Sequence, residues 1–525
     1  MAVAVLQAWP AHAASYGRKQ KPVPGQEIFN TNVVLDIRIE ISSNELKQLQ
    51  RSERQYVRAT LHEGSNVWND VGVRIKGAAG STRGINDKPA LTIGFGHFTP
   101  DQRFHGLRKF HLNNSVQDSS YLCENICSEL FRKADVPTPR VSYANVTING
   151  RKRGLYVLKE GFTKEMLGLY FKNVDGNLYD GGFLQEVDSQ LERDMGEDED
   201  VNDWSDLKAL AKAAQAKDWE QLNRVLDVDR FITFCTLEVM TWDWDGYMMN
   251  RNNYRVYHDL DTGRMVFFPH GMDQMFWEPG RPVWPQDKIG ASIVGRAVLT
   301  TPQGEKLYRQ RFGEVFTNVF QIEAMTNRVN ELAALLKPHA GDTNAYDGQV
   351  KRIRDLITGR YRTLLLELSL PPPEPLKFES GVAKLANWEL PGSIQALPEK
   401  GQSKRQKVTV DGRRMLHIQT AEASAGSWRT RVILDAGEYR FEAKVKTADV
   451  VSVPDPKKGE GAGIRHSGTQ TPRENKLVGT SDWTLLTHTF PVTVSGQSVF
   501  LLCELRASAG EAWFDLDSLR LVKIK

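Results

Sequence analysis

Two acidic residues on either side of a predicted hairpin have the order that phosphoryl transfer requires. Asp245 precedes Asn250 by five positions, Asn253 follows, and Asp273 comes after the hairpin. Phosphoryl transfer uses one carboxylate to accept the proton of the attacking hydroxyl, and amide and carboxylate oxygens to hold magnesium on the phosphates. A loop rich in Asx turns explains the same residues without any chemistry, so this pattern alone leaves both interpretations open.

A glycine-rich segment lies upstream, between two predicted strands. It reads VRIKGAAGSTRG over residues 73–84, and a second lysine, Lys88, precedes the strand-like ALTI. Backbone N–H groups of such a loop can bind phosphate, while Lys76 or Lys88 supplies a positive charge. The Walker A spacing is absent, and a turn that needs positive φ accounts for the glycines equally well.

Composition limits the classes of protein to consider. A chain of 525 residues suggests about three domains. Lysine and arginine number 68 against 65 acidic residues, a net charge of +3, which makes nucleic acid a poor candidate partner. The four cysteines show no C-x-x-C spacing, which argues against structural zinc. Cys123 and Cys127 are expected to be small buried side chains of one helix face.

The N-terminal fifteen residues predict export. They are apolar and end in Ala11-His12-Ala13, a pattern of the kind that signal peptidase cuts, so we interpret residues 1–15 as a truncated signal peptide. Elsewhere the sequence has no run of about 18 apolar residues, the minimum for a membrane helix. We therefore expect an extracellular, periplasmic or cell-surface protein, or a cytoplasmic one if the segment is not a signal.

The predicted elements give an α+β domain over 30–370 followed by an all-β sandwich. Strands with one helix, Ser119 to Ala134, precede a mainly helical part that contains a hairpin near 253–269. Four prolines within 371–375 predict a stiff linker over 371–377, and short strands at regular spacing predict a jelly-roll-type sandwich over 378–525. The acidic segment 192–203 is expected to be a solvated loop.

Histidines of the first domain divide into two groups. His105 and His111 stand beside phenylalanines on strand-like segments and are interpreted as hydrogen-bonded structural residues. His270 precedes Asp273 by three residues and is a candidate to line the cleft.

Several motifs together resemble the spore coat protein H (CotH) kinase-like family, in particular its exported bacterial members. The runs that carry the resemblance are VRIKGAAGST, KPALTI, FHGLRKFHLNN, VPTPRVSYANVTINGRKRGLYVLKE, GNLYDG, WDGYMMNRNNYRVYHD and FFPHGMDQMF. The resemblance implies a divergent bilobal protein-kinase-like fold. It also implies that the protein uses ATP with magnesium, or manganese, to phosphorylate Ser or Thr of a protein.

Carried onto this sequence, the resemblance implies a role for each matching residue. Asp245 is the catalytic base, Asp273 the metal carboxylate, and Asn250 or Asn253 the metal amide. Lys76 or Lys88 contacts phosphate, Glu124 orients a lysine, and Glu160 lies near the nucleotide where the lobes join. One departure is Gly271, which stands where many relatives have a first acid. The alternative is therefore a pseudokinase that serves as a non-catalytic, polysaccharide-binding surface scaffold.

The C-terminal part resembles family 4/9-type carbohydrate-binding sandwiches. Motifs around Trp428, Trp483 and Trp513 carry this resemblance. Sugar-binding proteins stack pyranose rings on exposed aromatic faces, so all three tryptophans are candidates for glycan contact. The competing interpretation, which we favour for Trp483 and Trp513, is that these side chains fill the core.

Overall fold

The architecture was analysed in a computed structural model. The structure describes residues 23–30, 33–78, 80–196, 203–281, 283–284, 292–369, 374–389, 403–453, 460–467, 475–492 and 497–524. The predicted signal segment 1–15 and the first part of the predicted linker, 371–373, lie outside these ranges.

A closed seven-stranded barrel forms the first part of the chain. Its elements are α1 (Gln26–Phe29), β1 (Val34–Glu40), α2 (Ser43–Arg51), β2 (Val57–Glu63), β3 (Asn66–Lys76), β4 (Ala90–Gly94), β5 (Lys109–Asn113), α3 (Cys123–Lys133), β6 (Val141–Ile148) and β7 (Arg151–Glu160). The strand order is β1-β2-β3-β4-β5-β7-β6, and parallel pairing of β1 with β6 closes the barrel. Alternate apolar residues fill its interior, including Ile75, Ile93, Phe110 and Leu158.

A mainly helical body follows the barrel and carries a small sheet. Its elements are α4 (Lys164–Leu167), β8 (Leu178–Asp180), β9 (Glu192–Met195), α5 (Ser205–Ala216), α6 (Trp219–Val225), α7 (Val228–Thr241), α8 (Tyr247–Asn250), β10 (Tyr254–Asp259), β11 (Arg264–Pro269), α9 (Ile293–Leu299), α10 (Pro302–Asn318), α11 (Ile322–Leu336) and α12 (Thr343–Ser369). The sheet order is β11-β10-β8-β9. Helix α7 is almost wholly buried and forms the centre of the body.

Two sheets with a shared apolar core form the C-terminal part. The strands are β12 (Val382–Lys384), β13 (Lys404–Val410), β14 (Arg413–Thr420), β15 (Ser424–Leu434), β16 (Gly437–Val451), β17 (Gly461–His466), β18 (Lys476–Leu477), β19 (Gly479–Val492), β20 (Gln497–Ala507), β21 (Ala509–Asp515) and β22 (Arg520–Lys523). One sheet has the order β12-β22-β16-β21-β14-β13 with β19 also on β16, and the other has the order β15-β20-β17-β18.

The structure confirms the α+β assignment and the hairpin predicted near 253–269, which β10 and β11 form. Asn149 and Gly150 have φ of 47° and 75° between β6 and β7, as a tight turn of this type requires. Helix α3 begins at Cys123, later than predicted, because Asp118 accepts the Cys123 and Ser120 N–H groups and holds the preceding residues in a turn. Cys123 and Cys127 are buried, as expected.

One predicted loop is partly a strand. Glu192–Met195 pairs with β8, so the described part of the acidic segment joins the sheet. Among the helices of the described residues, none is long and apolar enough to span a membrane.

Candidate active site

A buried ion pair lies where the barrel meets the helical body. Lys159 Nζ donates to Glu124 Oε1 at 2.6 Å, and both side chains are 3% exposed. The other oxygen, Oε2, accepts Asn113 Nδ2 at 2.7 Å, and Asn113 Oδ1 accepts Lys76 Nζ at 2.8 Å. One carboxylate on α3 therefore holds two strand lysines, one directly and one through an amide.

Strand register brings further polar side chains to the same face of the barrel. Arg74 pairs with Thr92, Thr92 with His111, and His111 with Lys159, so the four form one row across β3, β4, β5 and β7. Side chains alternate along each strand, so Lys76 and Lys109 share this face while their neighbours fill the barrel. Burial, followed by the charge of Lys159, lowers the pKa of Lys76 to about 8. Positive side chains therefore outnumber negative ones on this face of the barrel, as a polyphosphate site requires.

Asp245 is held by three amides on the opposite side of the cleft. Asn250 Nδ2 donates to Oδ1 at 2.9 Å, and the Nδ2 atoms of Asn252 and Asn253 donate to Oδ2 at 3.1 and 2.9 Å. Within the described part of the chain, no lysine or arginine pairs with this carboxylate. A carboxylate held by neutral donors is suited to take a hydroxyl proton.

Asp273 interacts electrostatically with the lysines of the barrel. Burial, then the charges of Glu124 and Asp118, raises the pKa of Asp273 to about 7, while Lys159 opposes that rise. The charge of Asp273 in turn opposes the lowering of the Lys76 pKa. The acid after the hairpin and the lysines of the barrel are therefore electrostatically coupled, as the members of one site would be.

Gly271 has no room for a side chain. Its φ is 65°, and a Cβ there would lie 2.7 Å from Asn253 Cγ and Oδ1. Asn253 also accepts the His270 N–H through its carbonyl at 3.0 Å. The side-chain amide of Asn253 therefore occupies the space that the Cβ of an acidic residue at position 271 would need. Asn253, rather than Asn250, thus lies against the segment that contains Asp273.

Two further carboxyls lie beneath the Asp245 loop. Glu238 accepts the N–H groups of Tyr247 and Met248 at 3.0 and 2.9 Å. Burial raises the pKa of Glu238 to about 8, and burial with the charges of Glu238 and Asp245 raises that of Asp243. Asp243 Oδ2 is buried without a hydrogen-bond partner among the described residues. The negative charges around Asp243 therefore favour the binding of a cation or a proton there.

The structure does not bring Lys88 to this cleft. Its Nζ donates to Tyr121 Oη at 2.7 Å and lies over the rings of Tyr121 and Tyr156. Tyr156 belongs to the barrel core, so Lys88 lies on the side of β7 opposite to Lys159. Two tyrosines hold the Lys88 amine apart from the Lys76–Glu124 set, and its role as a phosphate contact stays a prediction.

Glu160 is fully buried in an ion pair. Its two oxygens accept Arg140 Nε and Nη2 at 2.9 and 2.6 Å. The pair joins β7 to the residues before β6, and the predicted position of Glu160 near a nucleotide stays a prediction.

The glycine-rich loop is tied across its base. Asn114 Nδ2 donates to Ser81 O and to Lys88 O, both at 2.9 Å. Gly77 and Gly80 have φ of 112° and 84°, which side chains rarely adopt, so these glycines are required by the turn. These hydrogen bonds and the turn geometry therefore hold the loop beside Lys76 independently of any ligand.

Sequence reasoning missed Lys159, Asn113 and Asn252. The available signal was polar residues in otherwise apolar strands: Lys159 follows the buried run 155–158, and Asn113 ends β5. His111 is hydrogen-bonded to Thr92 at 3.0 Å, as expected of a structural histidine, yet it stands in the row of cleft residues. His270 is near Arg255 and Phe162 at the cleft.

In the sandwich, only two of the three candidate tryptophans reach the surface. Trp428 is 4% exposed within the core and donates its Nε1 to His417 O, so it cannot stack on a sugar. Trp483 and Trp513 are half-buried, contrary to the core placement we favoured. Trp513 stacks on His417 at 5.0 Å, and Arg413 lies 4.8 Å from the Trp483 ring.

Comparison with known proteins agrees with the resemblance. The inner spore coat protein H of Bacillus subtilis is 22% identical over 308 residues, which are 52% of this chain and 82% of that protein. The Helicobacter pylori proinflammatory kinase CtkA matches in structure at 10% identity, covering 53% of this chain and 95% of that one, with a TM-score of 0.28. TmCBM61 in complex with beta-1,4-galactotriose matches at 14% identity over 27% of this chain and 92% of that one, with a TM-score of 0.19.

The family model described as "CotH kinase protein" matches residues 73–364, which are more than half of the chain. These residues include the glycine-rich loop, the Lys159–Glu124 pair, Asp245 and Asp273. The chain therefore belongs to the CotH kinase protein family.

Proposed function

We propose that the protein transfers the γ-phosphoryl group of ATP to Ser or Thr hydroxyls of an exported or cell-surface protein. Membership of a kinase family implies ATP and a protein substrate. The observation that supports the proposal is the linked set Lys76, Asn113, Glu124 and Lys159, with which Asp273 interacts electrostatically.

Each residue has a role in this reaction that follows from its surroundings. Lys76 and Lys159 supply positive charge to the phosphates, and Glu124 keeps both amines in the cleft. The acceptor hydroxyl gives its proton to Asp245 as its oxygen forms the bond to the γ-phosphorus, and the bond from that phosphorus to the bridging oxygen breaks, which leaves ADP.

Magnesium fits the acidic side of the cleft. Burial, with the charges of Glu124 and Asp118, raises the pKa of Asp273, so a bound cation would stabilise its ionised form, and Asn253 Oδ1 lies beside the same segment. Asp273 with Asn253, or with Asn250, would hold the ion, which neutralises charge on the transferred phosphoryl group. Carboxylate and amide oxygens are also ligands for manganese.

The proposal is tested with the purified chain, labelled ATP, magnesium and a generic protein acceptor. We expect Asp245→Asn to lower transfer by at least about 100-fold while nucleotide binding persists, because only the proton acceptor is lost. Asp261→Asn is the matched control, since Asp261 lies in the exposed turn between β10 and β11. Equal transfer by wild type and Asp245→Asn would contradict the assignment.

The non-catalytic alternative has a separate signature. A wild-type protein that transfers no label and shows no nucleotide-dependent thermal shift would be a pseudokinase scaffold. Retention of ATP binding without transfer would place the failure in chemistry rather than in nucleotide recognition.

We also propose that the sandwich binds a glycan or cell-surface polymer. The supporting observation is that Trp513, His417, Glu511 and Gln419 lie together on a sheet face turned away from the core, with His417 Nε2 and Gln419 Nε2 both 2.9 Å from Glu511 oxygens. An aromatic ring beside hydrogen-bonding groups of fixed orientation suits a sugar ring.

A further inference from the structure

One row of side chains crosses the outer face of a sandwich sheet at the level of Trp513. On β21 the alternate residues Ala512 and Phe514 belong to the core, so Trp513 points away from it. Trp513 pairs with His417 on β14 on one side and with Lys446 on β16 on the other. The tryptophan therefore stands between a histidine and a lysine on one sheet face.

The two faces of the Trp513 ring have different neighbours. His417 covers the face toward β14, because the two rings have an interplanar angle of 14° and centroids 5.0 Å apart. The opposite face is turned toward β16, on which Lys446 is exposed. Trp483 lies beyond Lys446 on β19, because the residue after Trp483 pairs with Val445. Both half-buried tryptophans thus adjoin one exposed lysine from neighbouring strands.

The charges around Trp513 are not balanced within the sheet. Two acidic side chains of β21 face outward and both have partners: Glu511 bonds to His417 and Gln419, and Asp515 pairs with Arg413. Three exposed lysines of the same sheet form no ion pair with a described residue, namely Lys404 on β13 and Lys444 and Lys446 on β16. An anionic ligand is therefore complementary to this face.

We propose that the sandwich binds an acidic polysaccharide, with a sugar ring on the open face of Trp513 and the carboxylate of that sugar on the amine of Lys446. This inference rests on the proposed glycan binding and names the class of glycan. Glu511 lies two positions from Trp513 along β21, about 7 Å away, and each of its oxygens keeps a lone pair for a sugar hydroxyl. The lysine attracts the carboxylate and Glu511 repels it, so the two charges orient the sugar.

Affinity electrophoresis of the full chain tests the proposal with polygalacturonate, alginate and hyaluronan, each beside its carboxyl-reduced, neutral form. We expect at least one acidic polymer to bind about fivefold more tightly than its reduced form, as an exposed ion pair allows. Lys446→Met keeps the apolar stem and removes the amine, so this preference should disappear while affinity for the reduced polymer stays the same. Lys377→Met, an exposed lysine beside the other sheet, is the matched control and should keep the preference.

A second variant separates the ring from the charge. Trp513→Ala should weaken binding of the acidic and the reduced polymer alike, because both place a sugar ring on the indole. A preference that survives Lys446→Met, or falls equally in Lys377→Met, would overturn the carboxylate contact, the latter because it shows only a general attraction of charge. Reduced polymers that bind as tightly as the acidic ones would also overturn it but would support the proposed glycan binding. A chain that binds no polysaccharide, acidic or neutral, would refute that binding itself.

Discussion

The Lys159–Glu124 pair has a cost that its surroundings must offset. Two charges taken out of water lose hydration, and their attraction compensates only when other hydrogen bonds complete the site. Glu124 has such bonds, since Asn113 occupies its second oxygen and bridges to Lys76. Its pKa is lowered by Lys159 despite the opposing effect of burial. The pair is therefore a preorganised unit that places an amine in the cleft.

We predict that Lys159→Met lowers the free energy of unfolding by about 3 kcal/mol, because it leaves Glu124 buried without its ionic partner. The double variant Lys159→Met with Glu124→Gln should recover part of this loss, since no charge is then left alone. Urea unfolding of the wild type, Lys159→Met, Glu124→Gln and the double variant measures the coupling. Lys351→Met, in the exposed pair with Asp355, is the control and should change stability little. A Lys159→Met protein as stable as the control would contradict this account.

Among single residues, the sequence indicates the acidic members of the candidate site more readily than the basic ones. Asp245, Asp273 and Glu124 stand in short motifs, whereas Lys159 is one of many basic residues and is marked only by the buried run before it. Lys88, a lysine beside a glycine-rich loop, has the sequence features of a phosphate ligand, but the structure places its amine against Tyr121 and Tyr156. Which side of β7 it reaches depends on packing against Tyr156, and no spacing rule contains that information.

Among the elements, the junction between α7 and the Asp245 loop depends on one buried carboxyl. Helix α7 ends at Thr241, Trp242 has a φ of 52°, and the Asp243 N–H bonds to Glu238 O at 2.7 Å. The Glu238 side chain then accepts the first N–H groups of α8. One residue of the helix thus sets the path of the loop that presents Asp245.

This junction predicts a pH dependence of stability. The pKa of Glu238 is about 8 in the folded chain against an ordinary value of 4.5, so the folded state keeps a proton that the unfolded state releases. Stability should therefore fall as pH rises from about 4.5 to about 8. Urea unfolding between pH 5 and 8 measures this slope, which should become shallower in Glu238→Gln. Some slope should remain, because the pKa of Asp243 is also raised. Identical slopes in both proteins would show that Glu238 is not the titrating group.

Local elements were predictable where turn chemistry is explicit. Asn149-Gly150 and Asp261-Thr262-Gly263 each mark a hairpin, and both hairpins occur. Barrel closure was not predictable, since Val34 pairs with Tyr143 more than a hundred residues away, in a parallel register that no local pattern specifies. Strand β9 was not predictable for another reason. Its charged residues are typical of a solvated loop, but Asp194 is ion-paired with Arg255.

For the whole molecule, the proposed functions use two separate surfaces. The cleft residues belong to the barrel and the helical body, whereas Trp513 and its polar neighbours belong to one sheet of the sandwich. Trp428 differs from the other two tryptophans because it lies in the core shared by the two sheets. The sequence motifs do not reveal this difference in burial. We therefore expect that a variant can lose one of the two proposed activities without losing the other.

Reciprocal variants test this separation on the full chain. We expect Trp513→Ala to reduce retention on an insoluble polysaccharide from a panel of cellulose, chitin and peptidoglycan by at least about fivefold, because stacking of this kind contributes about 1–3 kcal/mol in other ring-binding sites. Its phosphoryl transfer should equal that of wild type, whereas Asp245→Asn should show the opposite pattern. Leu485→Ala, an exposed apolar residue of the same sandwich, controls for loss of surface and should change neither activity. Polymer retention that survives Trp513→Ala would contradict the glycan contact at Trp513, and transfer that falls with this variant would contradict two independent surfaces.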